Sequence, residues 1–458
     1  MSRIAAAVPR LVTVLAVSVF AIYLAPPAGA VTPPPVDDSF LPRSASPAPP
    51  HRTEQREECV AGPARKVMSG ARGQRNDSEL QAVWRFTRGA GQTVAVIDTG
   101  VSRHRRLPHL VPGGDYVSTG DGTEDCDGHG TAVAGIIGAA PDPHDTTGFV
   151  GVAPEATIIG IRQSSTKFRA ADDPAGSGYG DVDTLAMAVR TAADMGATVI
   201  NVSSVACLSA YADLDDRALG AALSYAVDAK NAVVVSAAGN VGAAGQCPDQ
   251  NPPGAHPGRP DWTNVNAVAS PAWYDEYVLT VGSVGRDGKP SPFTLAGPWV
   301  DVAAVGEGVV SLDSDGEGVI DRLPTAGGDA PIAGTSYAAP VVAGVIALLR
   351  ARSPELTARQ VMARVEDTAR RPPAGWDPFV GNGFLDVLAA VTGDLGPSPD
   401  ADDPAARAVS VPASRPPDRR SADIAVRGAV VCLGVVACVV AVTAASTLRR
   451  RVDAVPHD

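Results

Sequence analysis

Two hydrophobic patterns alternate along the middle of the chain. Short continuous apolar runs, rich in Val and Ile, occur at 93–98 (TVAVID), 156–162 (ATIIGIR), 197–203 (ATVINVS), 232–239 (AVVVSAAG), 278–284 (VLTVGSV) and 299–305 (WVDVAAV). Strands inside a parallel sheet are covered on both faces and need no polar side, so these runs predict parallel strands. Helical spacing follows His129, spans Asp181–Asp194, Leu214–Ala229 and Thr357–Ala369, and follows Ser336. The alternation predicts an α/β fold over residues 81–393, a mainly parallel sheet with helices on both faces. Chemistry in such sheets gathers at the carboxyl ends of the strands.

The pattern breaks at both ends. Residues 1–30 carry Arg3 and Arg10, an apolar core at Leu11–Leu24 and a small-residue Ala28-Gly29-Ala30 site, as a secretory signal does. Residues 31–80 form a Pro-rich extension; its first part, 31–57, has too few large apolar groups to fold alone and should be extended, draped or disordered. A Pro-rich linker of the same character fills 394–423. Next comes an apolar segment at 424–448, whose stretch Gly428–Leu448 holds no charge. As a helix that stretch is roughly 31 Å long, enough for a single transmembrane helix. Arg449, Arg450 and Arg451 place the tail, 449–458, in the cytoplasm, and so the domain at 81–393 on the extracytoplasmic side of the cell membrane.

The net charge of −12 argues against a nucleic-acid partner, because phosphate binding needs a basic surface. The exported part has four cysteines, Cys59, Cys126, Cys207 and Cys247, which suggests two disulfides in an oxidising compartment, with three pairings open. No C-x-x-C or H-E-x-x-H unit is present, so no metal or other cofactor is expected. The acidic stretch Asp313–Arg322 (DSDGEGVIDR) lacks the ligand spacing of a calcium loop and predicts an exposed turn. His104 and His109, in a charged loop, are expected to be solvated.

Four short segments carry candidate chemistry. The first strand ends in Asp98-Thr99-Gly100; an aspartic protease would need a second D-T-G or D-S-G, which the chain lacks, or a dimer. His129 lies between two glycines in DGHGTAVAGI, which expose the ring and let another segment approach closely. Asn240, in AAGN, is a turn residue whose side-chain amide can donate to an oxyanion. Ser336, in GTSYAAP, opens a helix in which Pro340 is expected to fall within the first turn.

The motifs VIDTGV, DGHGTAVAGI, AAGN and GTSYAAP, in that order, resemble the subtilisin-like serine proteases over roughly residues 81–392. The resemblance implies Asp98, His129 and Ser336 as a catalytic triad and Asn240 as oxyanion donor. A Pro-rich lead-in containing TEQREEC, four exported cysteines and a C-terminal anchor resemble, more narrowly, the mycosins. That resemblance implies a membrane-anchored endopeptidase that processes protein substrates of type VII secretion and associates with the secretion membrane complex. A mainly structural role in that complex, with proteolysis secondary, is the alternative. The mycosin resemblance also implies the pairings Cys59–Cys126 and Cys207–Cys247. Where secreted subtilases usually continue VINVS with Leu-Gly, this chain has Ser204-Val205-Ala206-Cys207, which points to a narrower, selective pocket. Residues 31–80 lack the pattern of a folded inhibitory pro-domain and are expected to remain as a wrap beside the cleft.

Overall fold

The computed structural model describes residues 31–60 and 78–393, apart from 213, 243–246, 255–257 and 326–327. All of these belong to a unit ending at Asp394; a second unit, Leu395–Asp458, lies outside them. The expected signal (1–30), linker (394–423), membrane helix (424–448) and tail (449–458) thus fall outside the described residues. No helix among the described residues is long and apolar enough to cross a membrane.

Seven strands form the central sheet: β1 (Thr93–Asp98), β2 (Leu110–Asp115), β3 (Thr157–Arg162), β4 (Val199–Val202), β5 (Val233–Ala237), β6 (Val278–Val284) and β7 (Val302–Val305). Their spatial order is β7-β6-β5-β4-β1-β3-β2, and every neighbouring pair is parallel. Each residue of β4, β5 and β6 is buried, so both faces of the sheet are covered, as the continuous apolar runs require. All six expected strands are present, two with the expected bounds and four within three residues of them.

Strand β2 was not foreshadowed. Its sequence, LVPGGD, reads as a turn, yet it pairs with β3 at the sheet edge through a bulge between Pro112 and Asp115. The glycines are what allow it: a Cβ on Gly113 would stand 2.5 Å from both Ile159 and Ile161. An edge strand donates little to the ladder, so Pro112 is tolerated there.

Five helices follow the expected segments: α1 (His129–Gly138), α2 (Val182–Asp194), α3 (Arg217–Ser224), α4 (Thr335–Arg352) and α5 (Ala358–Thr368). Asp181 and Thr357 cap α2 and α5 with reciprocal capping boxes. The segment expected as one helix at 214–229 starts later, at Arg217, and widens into a π turn over Tyr225–Ala229. Helices α1 and α4 pack on each other, as do α2 and α3, and each pair also contacts the sheet. Connections leave β1 for β3 and β2 on one side, then for β4 and beyond on the other. The strand order therefore reverses at the carboxyl end of β1, where Asp98 sits.

Residues 31–60 form a strap across this body. Val31 N donates to Trp262 O at 2.9 Å, and Pro33–Pro35 run beside Trp262, Trp273 and Tyr277. Further on, Thr53–Gln55 pairs antiparallel with Phe168–Ala170, and Cys59 is bonded to Cys126. The strap is extended and draped, without an apolar core of its own.

Candidate active site

Three side chains from distant parts of the chain meet at the carboxyl end of β1. Asp98 Oδ1 lies 2.6 Å from His129 Nδ1, and His129 Nε2 lies 3.0 Å from Ser336 Oγ. Asp98 is fully buried at the strand end and also accepts from Thr99 N at 2.8 Å. His129 opens α1 and keeps 26% of its side chain exposed, so a reactant can reach its ring. Ser336 lies in the first turn of α4, where unpaired N–H groups and the helix dipole favour negative charge.

Glycine makes this convergence possible. Gly128 has φ 79°, and a Cβ on Gly130 would stand 2.1 Å from Gly100 O. The close approach expected of the glycines flanking His129 is therefore present, and it brings the Asp98 loop against the start of α1.

Asp125 ties the same two segments together. Its Oδ1 accepts from Thr99 Oγ1 at 2.8 Å and Gly128 N at 2.8 Å. Its Oδ2 accepts from Thr131 N at 2.8 Å and Thr131 Oγ1 at 2.7 Å. Burial pushes the Asp125 carboxyl up to about 6, against these hydrogen bonds. For His129, burial pulls the imidazole down, but Asp98, Asp125 and Asp127 pull it up and prevail, so it titrates above its ordinary 6.5. The Tyr337 ring packs 5.0 Å from the imidazole, tilted by 50°.

The start of α4 is held from two sides. Asn240 Oδ1 accepts from Thr335 N at 3.0 Å and Thr335 Oγ1 at 3.1 Å. With its oxygen so engaged, the amide presents Nδ2 toward Gly334 and Ser336: a Cβ on Gly334 would be 3.7 Å from Asn240 Nδ2 and 3.1 Å from Ser336 Oγ. On the other side, Ser203 Oγ donates to Ser336 O at 2.9 Å and accepts from Asn201 Nδ2 at 2.9 Å. This second contact bears on Pro340, which lies in the second turn of α4 and not the first. Pro340 has no N–H for the carbonyl four residues back, Ser336 O, and Ser203 supplies a donor there instead.

A cleft of about 900 Å³ runs past these residues, lined by Val60 of the strap, Ser165–Lys167 and Ser177–Gly180, and Ser203–Val205. Cys207 and Cys247, also in its wall, are bonded to each other. Gly239 is required beside that bond, since its φ is 102° and a Cβ would stand 2.9 Å from Cys247 Sγ. Both disulfides join the cysteines that the mycosin resemblance pairs.

His104 departs from expectation. It is buried, with Nε2 3.0 Å from Gly318 O and Nδ1 accepting from Arg106 N at 3.0 Å, and burial pushes its pKa down. Its partner is the turn between Ser311–Leu312 and Val319–Ile320, more than two hundred residues away. That turn is the acidic DSDGEG stretch, whose Asp315 accepts from Glu317 N and Gly318 N, both at 2.8 Å. His109 is exposed, and among the described residues no group of three His, Cys, Asp or Glu side chains could hold a metal ion. Sequence reasoning did not single out Asp125, Asn201, Ser203 or Tyr337. Only Asp125, in DCDGHGT, carried a local signal, being an acid close before the histidine.

The family model described as "Subtilase family" matches residues 89–383. Mycosin-4 of Mycobacterium tuberculosis (strain ATCC 25618 / H37Rv) is 58% identical over 431 residues, covering 93% of each chain. The structure of the MycP3 protease from the type VII (ESX-3) secretion system is 45% identical with a TM-score of 0.72, covering 80% of this chain and 100% of that one. A chain in the structure of the periplasmic assembly from the ESX-5 inner membrane complex is 40% identical with a TM-score of 0.73, covering 82% of this chain and 97% of that one.

Proposed function

Since the chain belongs to the subtilase family and, within it, to the mycosins, serine endopeptidases of type VII secretion, we propose that Ser336 is its nucleophile, His129 its general base, Asp98 the orienting acid and Asn240 the oxyanion donor. The observation that carries this assignment is the unbroken line from Asp98 Oδ1 through His129 to Ser336 Oγ, at 2.6 and 3.0 Å.

An alcohol is a weak nucleophile until a base takes its proton. His129 Nε2 accepts the Ser336 proton as Oγ attacks the peptide carbonyl, then returns it to the leaving amine. Asp98 fixes the tautomer that leaves Nε2 free and stabilises the imidazolium, staying ionised throughout. The tetrahedral oxyanion is held by Asn240 Nδ2 and the N–H groups at the start of α4. In subtilisin itself, loss of such a side-chain donor costs about 10²–10³ in kcat, and that measured scale is the one to apply to Asn240.

The protease unit, 81–393, is delivered by a cleaved signal at 1–30 and carries the retained extension 31–80. A linker at 394–423 tethers it to a single span at 424–448. Its substrates are proteins of type VII secretion, and it associates with the secretion membrane complex; a relative within the periplasmic assembly of the ESX-5 inner membrane complex supports that association. The same relative favours a second reading, in which the chain mainly braces the complex. Replacing Ser336 by Ala separates the two. It should lower peptide cleavage by about 10⁴-fold or more. Secretion that survives Ser336→Ala but not deletion of the chain makes the brace dominant; loss in both makes proteolysis dominant. Undiminished cleavage by Ser336→Ala would overturn the nucleophile.

A further inference from the structure

Pairing of the strap with Phe168–Ala170 sets opposite charges against each other. Glu54 meets Arg169 at 2.7 Å and Glu57 meets Lys167 at 2.8 Å. The register continues past the short strand, where Arg56 N donates to Lys167 O at 2.8 Å. The second ion pair concerns the cleft directly, because Lys167 is the one lysine or arginine among the described residues lining it. The other oxygen of Glu57 lies 3.0 Å from Arg56 Nη2, and Arg56 Nη1 donates at 2.6 Å to Ser177 O, in the cleft wall.

The carboxylate among the described residues that line the cleft, Asp127, is already engaged. It accepts from Ser165 Oγ at 2.5 Å, Thr166 N at 2.8 Å and Thr166 Oγ1 at 2.5 Å. Glu57 is therefore the acid that meets the cleft's cation, and it comes from the strap. Cys59, two residues further on, is bonded to Cys126. That bond keeps Glu57 at high effective concentration, so a substrate carboxylate arriving from solution competes poorly for the same ammonium.

We propose that Glu57 is a specificity-determining residue: by engaging Lys167 it denies acidic substrate side chains an ion pair at this wall and leaves the cleft selective for neutral ones there. The inference rests on Ser336 being the nucleophile, as proposed above, which makes the cleft that runs past it the substrate cleft. The Lys167 side chain is 20% exposed and that of Glu57 44%, so the pair is partly screened and its effect is modest and salt-dependent.

The test compares full-length wild type, Glu57→Gln, Lys167→Met and the double variant. Each is assayed on internally quenched peptides that differ only by Glu or Gln at successive positions around the cleaved bond. Glu57→Gln should raise the Glu-to-Gln ratio of kcat/KM at one position about twofold to fivefold, fading as salt is added. The double variant should show no rise, and Lys167→Met alone, which leaves the Glu57 carboxylate without that ammonium, should hold or lower the ratio; a rise there would overturn the proposal. An unchanged ratio at every position in Glu57→Gln would overturn the proposal, as would an equal rise in the double variant. A uniform fall for all peptides would also overturn it and leave the strap only a brace. Should Glu57→Gln fail to fold, Glu57→Ala takes its place in the same comparison, and an unchanged ratio at every position would again overturn the proposal. Full cleavage by Ser336→Ala, run alongside, would instead sink the cleft assignment and this inference with it.

Discussion

Asp125 touches neither a reactant nor His129's ring nitrogens, yet both loops of the proposed triad hang from it. All its hydrogen bonds are accepted from donors, so an amide in its place would turn an NH₂ toward one set of them. Asp125→Asn should lower kcat/KM by about tenfold to a hundredfold through misplacement of His129; steady-state kinetics showing no loss would remove Asp125 from the site. The pH dependence follows from the same groups. A base must be neutral, so wild-type kcat/KM should climb with pH through a limb above 6.5, where His129 titrates. Stability runs the other way for Asp125. Its folded pKa, about 6, exceeds its ordinary 3.8, so the folded state binds the extra proton and stability falls as pH rises through that window. The Asn variant should lose that slope in denaturation measured between those pH values. Asp98, His129, Asn240 and Ser336 were legible because each sits in a short motif of glycines and small residues. Asp125 was not singled out, since its role is to join Thr99 to Thr131. His104 was misjudged because its charged neighbours describe the exposed side of the loop, while its burying partner is remote in sequence.

Helix α4 positions the proposed nucleophile, Ser336, but it is not a self-sufficient element. Pro340 deprives the Ser336 carbonyl of its ordinary partner, and a hydroxyl from beyond β4 repairs the loss. Ser203→Ala should therefore leave a buried carbonyl short of a donor, costing about 1–3 kcal/mol of stability. The same change should lower kcat more than it raises KM, since it loosens the turn bearing Ser336 without touching the cleft's far wall. Denaturant unfolding and kinetics both at wild-type values would refute this dependence. Elements were legible where burial is uniform: the interior strands appear as continuous Val- and Ile-rich runs. They were illegible where tertiary contacts set the backbone. Strand β2 exists because Gly113 lets β3 approach and because an edge tolerates Pro112, and neither fact leaves a hydrophobic period in LVPGGD. Likewise, no pattern in 214–229 announces the π turn that ends the helix there.

Across the molecule the strap is the feature that folding of the protease unit alone does not demand. A segment so poor in large apolar groups holds its place only by borrowing surface. It does so at Trp262, at the pairing with Phe168–Ala170 and at Cys126, which lies three residues before His129. Pro47 also fills the space a side chain on Gly114 would need, so strap and edge strand are fitted to each other. An inhibitory pro-segment must leave the cleft to release activity. The described part of this one, residues 31–60, meets the cleft wall at Val60, and its hydrogen bonds go to groups other than Asp98, His129 and Ser336, so activity should not require its departure. Active protein should consequently keep residues 31–59. If the chain is nicked after Cys59, the strap should run with the protease on non-reducing gels and separate only after reduction. N-terminal sequencing of active enzyme that finds a single start well past Cys59, with no bridged peptide, would contradict this. Such a result would also withdraw Glu57 from Lys167 at the cleft wall, so the retention of the strap and its part in specificity stand on the same bond.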